Sequence, residues 1–152
     1  MRFLDIITIL SIGLMIGVEL AVSAFIHPTL RKLDDEPQAK TLSLFAALLG
    51  SVMPFWYALA LLLLIAEAVL RRNTPALTPL TIAASLWAFI IAFTIAVLVP
   101  INNRIAKLQP TSLPADWQQA HRRWDNLHRL RVALLLVAFV LALNAILAAS
   151  AA

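Results

Sequence analysis

Apolar residues along the chain fall into four long runs separated by short polar stretches. The first spans Phe3 to Ile26, the second about Leu42 to Leu70, the third Leu80 to Val99 and the fourth Val132 to Ala149. Each reaches the roughly 20 residues needed to cross a hydrocarbon core, which sets spans at about 3–26, 45–70, 80–99 and 130–149. Lipid cannot satisfy a free backbone group and the runs lack strand-type alternation, so each is predicted to be a helix. The fold class expected is all-α, a single four-helix transmembrane bundle over 1–152. The polar connections are Pro28 to Lys40, Arg71 to Pro79 and Pro100 to Arg131, with prolines at their edges. Ser112 to Asp116 reads as a helix start, with Pro114 near the first turn and an acid beside the positive end of the dipole. A helix running unbroken from there to Ala149 exceeds the membrane, so the last helix is expected to extend beyond it at its N-terminal end.

Composition supports lipid as the solvent. Hydrophobic residues make up 62% and charged residues 13%, against about 25% charged in a soluble domain. The net charge of +4 sits in short loops, where membrane orientation explains it and nucleic-acid binding is not expected. Arg31, Lys32, Lys40, Arg104, Lys107, Arg122, Arg123, Arg129 and Arg131 lie in the first and third loops, whereas Arg2, Arg71 and Arg72 lie on the opposite side. That bias places the first and third loops in the cytoplasm and both termini outside, in a multi-pass plasma (bacterial-type inner) membrane. Val22-Ser23-Ala24 resembles a signal cleavage site, but the run is long for a signal core and Glu19 interrupts it, so the first span is expected to be retained. The chain has no cysteine, which removes disulfides, thiolate metal sites and thiol catalysis.

Polar residues inside the runs mark the candidate chemistry. On a helical wheel at 100° per residue, Asp5, Glu19, Ser23 and His27 share an arc of roughly 80° on the first helix. Ionisable groups inside a membrane are costly and mark function, so Glu19 is a candidate ligand or proton-transfer group. Asp5 lies at the far end, where it can reach water. Gly13 and Gly17 form a G-x-x-x-G pair that serves packing either within the bundle or between protomers of a homo-oligomer. On the last helix Trp117, His121, Trp124, His128 and Arg131 share another arc of roughly 80°. Trp124, His128 and Arg131 suit a flat or anionic ligand, whereas Trp117 and His121 read as an interfacial belt. Asn102 and Asn103, just past Pro100, cap the third helix or offer amides to a ligand. Pro54 inside the second helix is expected to kink it, with Trp56 and Tyr57 beside it as pocket-lining aromatics. Glu67 and Arg71, four residues apart, are expected to pair at the far interface.

His27-Pro28 after the first span, Pro100-x-Asn102 after the third, and Trp124-x-x-x-His128-x-x-Arg131 entering the fourth resemble the small four-helix membrane family that includes the anthrone oxygenases. Much of that family is catalogued as a domain of unknown function. The likeness covers nearly the whole chain, although each motif is short. It implies insertion of oxygen into an activated aromatic methylene to give an anthraquinone, and it carries over to His27, Asn102, Trp124, His128 and Arg131.

The function expected is therefore a membrane oxidoreductase acting on an aromatic or quinone-like lipophilic substrate that partitions into the membrane, with the lipid bilayer as its surroundings. In this reading His128 or His27 removes a proton from an acidic carbon, while Arg131 and Asn102 stabilise the enolate. Trp124, Asn103, Trp56 and Tyr57 would contact substrate. Such a carbanion reacts with oxygen without a cofactor. A second version makes His27, His128 and Glu19 ligands of copper or iron. A different class is a non-enzymatic binding or assembly subunit holding a haem, metal, lipid or partner protein at the same face.

Overall fold

A computed structural model describes residues 2–151, with side chains to residue 149. Its described residues form four long helices and no strand: α1 (Arg2–Leu30), α2 (Asp35–Leu70), α3 (Leu77–Ile105) and α4 (Trp117–Ala151). All four are long and apolar enough to cross a membrane, so the chain is an integral membrane protein. The helices alternate in direction, and each packs against its neighbours in sequence, with α4 closing the ring on α1. The first and third connections are tighter than the polar pattern suggests, because the helices run on past Pro28 and Pro100. With 35 residues, α4 is about 52 Å long, well beyond a hydrocarbon core of about 30 Å.

Two apolar cores stack along the bundle. One gathers Ile12, Met15, Leu64, Leu80, Trp87, Leu135 and Ile146 toward the termini. The other gathers Leu30, Ala39, Leu42, Leu98, Ile105, Leu108 and Trp117 toward the α1–α2 and α3–α4 connections. Trp117 is thus packed inside rather than lying in an interfacial belt, in one apolar cluster with Leu108 and Leu113 of the third connection. Outside, Arg104 pairs with Asp116 at 2.5 Å, and this guanidinium holds the exposed Asp116 carboxyl below its ordinary pKa.

At the opposite end Arg71 pairs with Glu67, as the i, i+4 spacing predicts, and also reaches Asp5 at 2.8 Å. Thr8 donates to Glu67 at 3.0 Å. Asp5 does not reach water as expected from its position; it is buried against Arg71. Two carboxylates sharing one guanidinium tie α1 to α2, and desolvated charges of this kind persist only when paired.

Three local irregularities shape the other half. Val22–Ile26 in α1 and Thr94–Leu98 in α3 are wide π-helical turns, closed by His27 N–H to the Val22 carbonyl and by Val99 N–H to the Thr94 carbonyl. Each comes just before a proline, Pro28 or Pro100, whose ring crowds the carbonyl four residues back and whose missing N–H breaks the α pattern. The extra residue in the turn rotates the remainder of the helix by roughly 100°, bringing His27 to within roughly 20° of Glu19 instead of 80°. The third is Pro54 inside α2, which gives no N–H to the Gly50 carbonyl.

Candidate functional site

A cavity of about 210 Å³ lies between the four helices at the level of these irregularities. Its walls are mainly apolar, with Val22, Leu42, Leu49, Met53, Ile91 and Leu98 among them. Its polar groups are Glu19 and His27 from α1, Tyr57 from α2, Thr94 and Asn102 from α3, and His121, Trp124, His128 and Arg131 from α4.

Glu19 ties three helices together. One carboxylate oxygen accepts from the Tyr57 hydroxyl at 2.9 Å and the other from Arg131 at 2.6 Å. The same Arg131 nitrogen donates to His128 Nδ1 at 2.9 Å, while His128 Nε2 lies 3.2 Å from the Glu19 carbonyl oxygen. A carbonyl only accepts, so these partners assign the proton of His128 to Nε2 and leave Nδ1 as acceptor for Arg131. Both nitrogens are therefore occupied. Glu19 and Arg131 are buried, and Arg131 also lies 5.5 Å from the centre of the Tyr57 ring.

A second cluster adjoins the first. His27 Nδ1 is 2.5 Å from Asp125 Oδ1, with both side chains buried. Asp125 Oδ2 lies 3.6 Å from Arg31 and 3.7 Å from His121 Nε2. The His27 ring is 4.9 Å from His121, 5.1 Å from Trp124 and 6.4 Å from His128, and Trp124 stacks on His128 at 4.6 Å. The carboxylate accepts a hydrogen bond from the Nδ1–H of His27 and so fixes the tautomer, leaving Nε2 with its lone pair.

Several buried polar atoms at the cavity have no hydrogen-bond partner among the described residues: both ring nitrogens of His121, Trp124 Nε1, Thr94 Oγ1 and Arg131 Nε. Buried donors without partners are rare in folded proteins, and a cluster of them around one cavity fits a site that a polar molecule completes.

Of the residues singled out from the sequence, Glu19, His27, Tyr57, Asn102, Trp124, His128 and Arg131 converge on the cavity. Asn103 is exposed and lies outside the cavity lining. Trp56 also lies outside it, turned to α1, where Nε1 donates to the Ser11 carbonyl and hydroxyl at 3.1 Å. Asn102 lines the cavity but gives an N–H to the Ala46 carbonyl at 3.0 Å, bridging α3 to α2. That approach depends on Gly50, where a Cβ would stand 3.0 Å from the Asn102 amide nitrogen. In the G-x-x-x-G pair, a Cβ on Gly13 would make ordinary contact with Phe139 at 3.6 Å, and one on Gly17 would meet nothing. Close packing within the bundle therefore does not explain the pair. His121, read from sequence as part of an interfacial belt, is buried against His27, and sequence reasoning missed Asp125 altogether. The signal that could have found it was the His121-x-x-x-Asp125 spacing, which places an acid one turn from a histidine on the polar side of α4.

The fold and site define an integral membrane four-helix bundle with a polar, partly unsatisfied cavity enclosed among apolar walls. The chain belongs to the anthrone oxygenase family, whose profile matches residues 42–141. That stretch holds Tyr57, Asn102, His121, Trp124, Asp125, His128 and Arg131, while Glu19 and His27 come from the helix before it. No curated protein and no solved structure matches the chain.

Proposed function

We propose that the protein is an oxidoreductase that oxidises the activated methylene of a lipophilic aromatic ketone of the anthrone type, with dioxygen as the oxidant. The observation that carries this reading is the set of unpartnered buried polar atoms on His121, Trp124, Thr94 and Arg131 around one largely apolar cavity. A flat molecule bearing carbonyl and hydroxyl oxygens fits apolar walls and free N–H donors together.

His27 is the proton acceptor in this mechanism, since its Nε2 is free, whereas both nitrogens of His128 are engaged. Asp125 holds the imidazole in that tautomer and stabilises the imidazolium once it forms, as a carboxylate behind a catalytic histidine does. Loss of the proton leaves an enolate whose charge gathers on the ketone oxygen, which the side chains of Arg131 and Trp124 at the cavity wall would stabilise. The carbanion gives electrons to dioxygen and forms a carbon–oxygen bond, yielding a hydroperoxide after protonation. Loss of the remaining methylene proton with hydroxide, as water, leaves a carbonyl. The sum is one CH₂ and one O₂ giving one C=O and one H₂O. Glu19 is a positioning residue here, holding Arg131 and Tyr57 at the wall.

One observation favours a second reading with a metal. Ligand atoms of His27, His121 and Asp125 lie within 4.8 Å of one another, and two histidines with one carboxylate suit non-haem iron. The Glu19 and His128 atoms expected from the sequence to bind metal are instead engaged with Arg131. Arg31, 3.6 Å from Asp125, opposes a divalent cation there.

The test is oxygen uptake and anthraquinone absorbance with the protein in liposomes and anthrone as substrate, together with metal analysis and a visible spectrum. Turnover above spontaneous oxidation, insensitive to chelators, is expected. Tight anthrone binding without turnover would favour the binding-subunit reading. Stoichiometric metal lost in Asp125→Asn and His121→Ala would move the assignment to the metal reading.

A further inference from the structure

We propose that the cavity is reached sideways from the bilayer, through a gap between α2 and α3 at Gly50, Pro54 and Ile95, and that a small lipophilic aromatic ligand is what passes. This rests on the reading of the cavity as a substrate site, and it names the route.

Packed side chains adjoin both ends of the cavity along the bundle axis. Toward the connections it is capped by Leu30, Ala39, Leu108 and Trp117, packed as one apolar cluster. Toward the termini Tyr57 closes it, its carbonyl accepting from Trp87 Nε1 at 3.2 Å and its ring 5.9 Å from that of the fully buried Trp87. The α1–α4 side is sewn shut by Glu19 with Arg131 and by His27 with Asp125.

Between α2 and α3 the wall is different. Gly50, Pro54 and Ile95 all line the cavity and yet are exposed, Ile95 by 63%. Residues that line a cavity and are also exposed on the outside of the bundle mark where its wall is thinnest. The flanking outer residues are apolar, with Val52, Phe55 and Phe89 exposed, so the opening meets hydrocarbon rather than water.

The local chemistry fits a gap. Gly50 brings no side chain to fill it, and Pro54, one turn on, removes a backbone hydrogen bond from α2. Thr94–Leu98 on the facing helix is a π-turn, a distortion common at functional sites. The Asn102 bond to the Ala46 carbonyl crosses from α3 to α2 at its lower margin, so the gap has a fixed sill. Thr94 lines the cavity beside the gap, and its buried hydroxyl has no hydrogen-bond partner among the described residues. An apolar passage with one polar group at its inner lip admits a molecule that partitions into lipid and carries oxygen, and it rejects a charged solute.

The native chain has no cysteine, so a single one can be placed cleanly. Ile95→Cys, at the gap, is compared with Ile82→Cys, which is exposed on the same helix away from the cavity. In liposomes, a spin label at either position should collide with oxygen and be shielded from a water-soluble nickel chelate. Modification of the Ile95→Cys variant with a bulky lipophilic maleimide should slow uptake of a membrane-dissolved hydroxyanthraquinone, read by tryptophan quenching, about tenfold. The same modification of the Ile82→Cys variant should leave uptake unchanged. Nickel access at residue 95, or uptake indifferent to the maleimide there, would overturn the route. Uptake that depends on residue 95 without any oxygen consumption with anthrone would sink the oxygenase reading and leave the route standing.

Discussion

Asp125 lies 2.5 Å from Nδ1 of His27, joining the N-terminal part of α4 to the C-terminal end of α1. The two are 98 positions apart in the chain, and their contact decides which nitrogen of which histidine is free to take a proton. His128, the other candidate base, has its ring fixed between Arg131 and a backbone carbonyl. In the proposed mechanism the roles divide accordingly: His27 exchanges protons, and His128, stacked on Trp124, supports the cavity wall.

Asp125→Asn keeps the shape of the side chain and removes its charge, so His27 loses the partner that fixes its tautomer. Turnover of anthrone should fall by about 10²-fold or more, in the range of a mis-set general base, while anthrone binding changes little. Full activity in this variant, measured by oxygen uptake, would show that His27 works without its carboxylate.

His27 and His128 have ring centres 6.4 Å apart and face one cavity. If they serve one bound molecule, His27→Ala and His128→Ala should each remove most of the turnover, with the double variant little worse than the worse single. Groups acting as a unit are strongly non-additive, whereas independent ones add in free energy. Additive losses in the double variant would separate the two residues.

Glu19→Gln leaves Arg131 buried without its carboxylate. Removing one partner of a buried pair costs about 3–5 kcal/mol, so the variant should unfold at markedly lower temperature in detergent. Glu19→Gln combined with Arg131→Met, which removes the stranded charge, should recover much of that loss. A melting point for Glu19→Gln equal to wild type would mean that Arg131 finds other partners.

Orientation is testable by cysteine labelling. Arg131 and Arg71 are buried in ion pairs, so their charges report on the interior rather than on topology. Without them Arg31, Lys32, Lys40, Arg104, Lys107, Arg122, Arg123 and Arg129 still oppose only Arg2 and Arg72. Lys40→Cys and Gln109→Cys, both at exposed positions, probe the sides of the first and third connections. Both should react with impermeant maleimide only from the cytoplasm, and Thr74→Cys only from outside. The reverse pattern would invert the protein in the membrane and keep the site on one face.

Four helices, their alternation and the half of the bundle that holds the polar cavity were all legible along the chain. Runs of about 20 apolar residues admit no other structure in lipid, and helical spacing alone puts Glu19 with His27 and Trp124 with His128 and Arg131 on shared faces. Glu67 could also be paired with Arg71, because a partner one turn away on the same helix is a local matter. Contacts that join one helix to another came only with the folded bundle. Asp125 became the partner of His27, His121 left the expected surface belt for the interior, and Asp5 found Arg71 instead of water. Trp56 turned to α1 and Asn103 to the outside. Periodicity gives the angle of a residue around its own axis, but the rotation of each helix against its neighbours is set by packing, here offset by π-turns before Pro28 and Pro100. A desolvated charge must find its partner wherever the packed bundle brings one within reach, and that distance is not written along the chain.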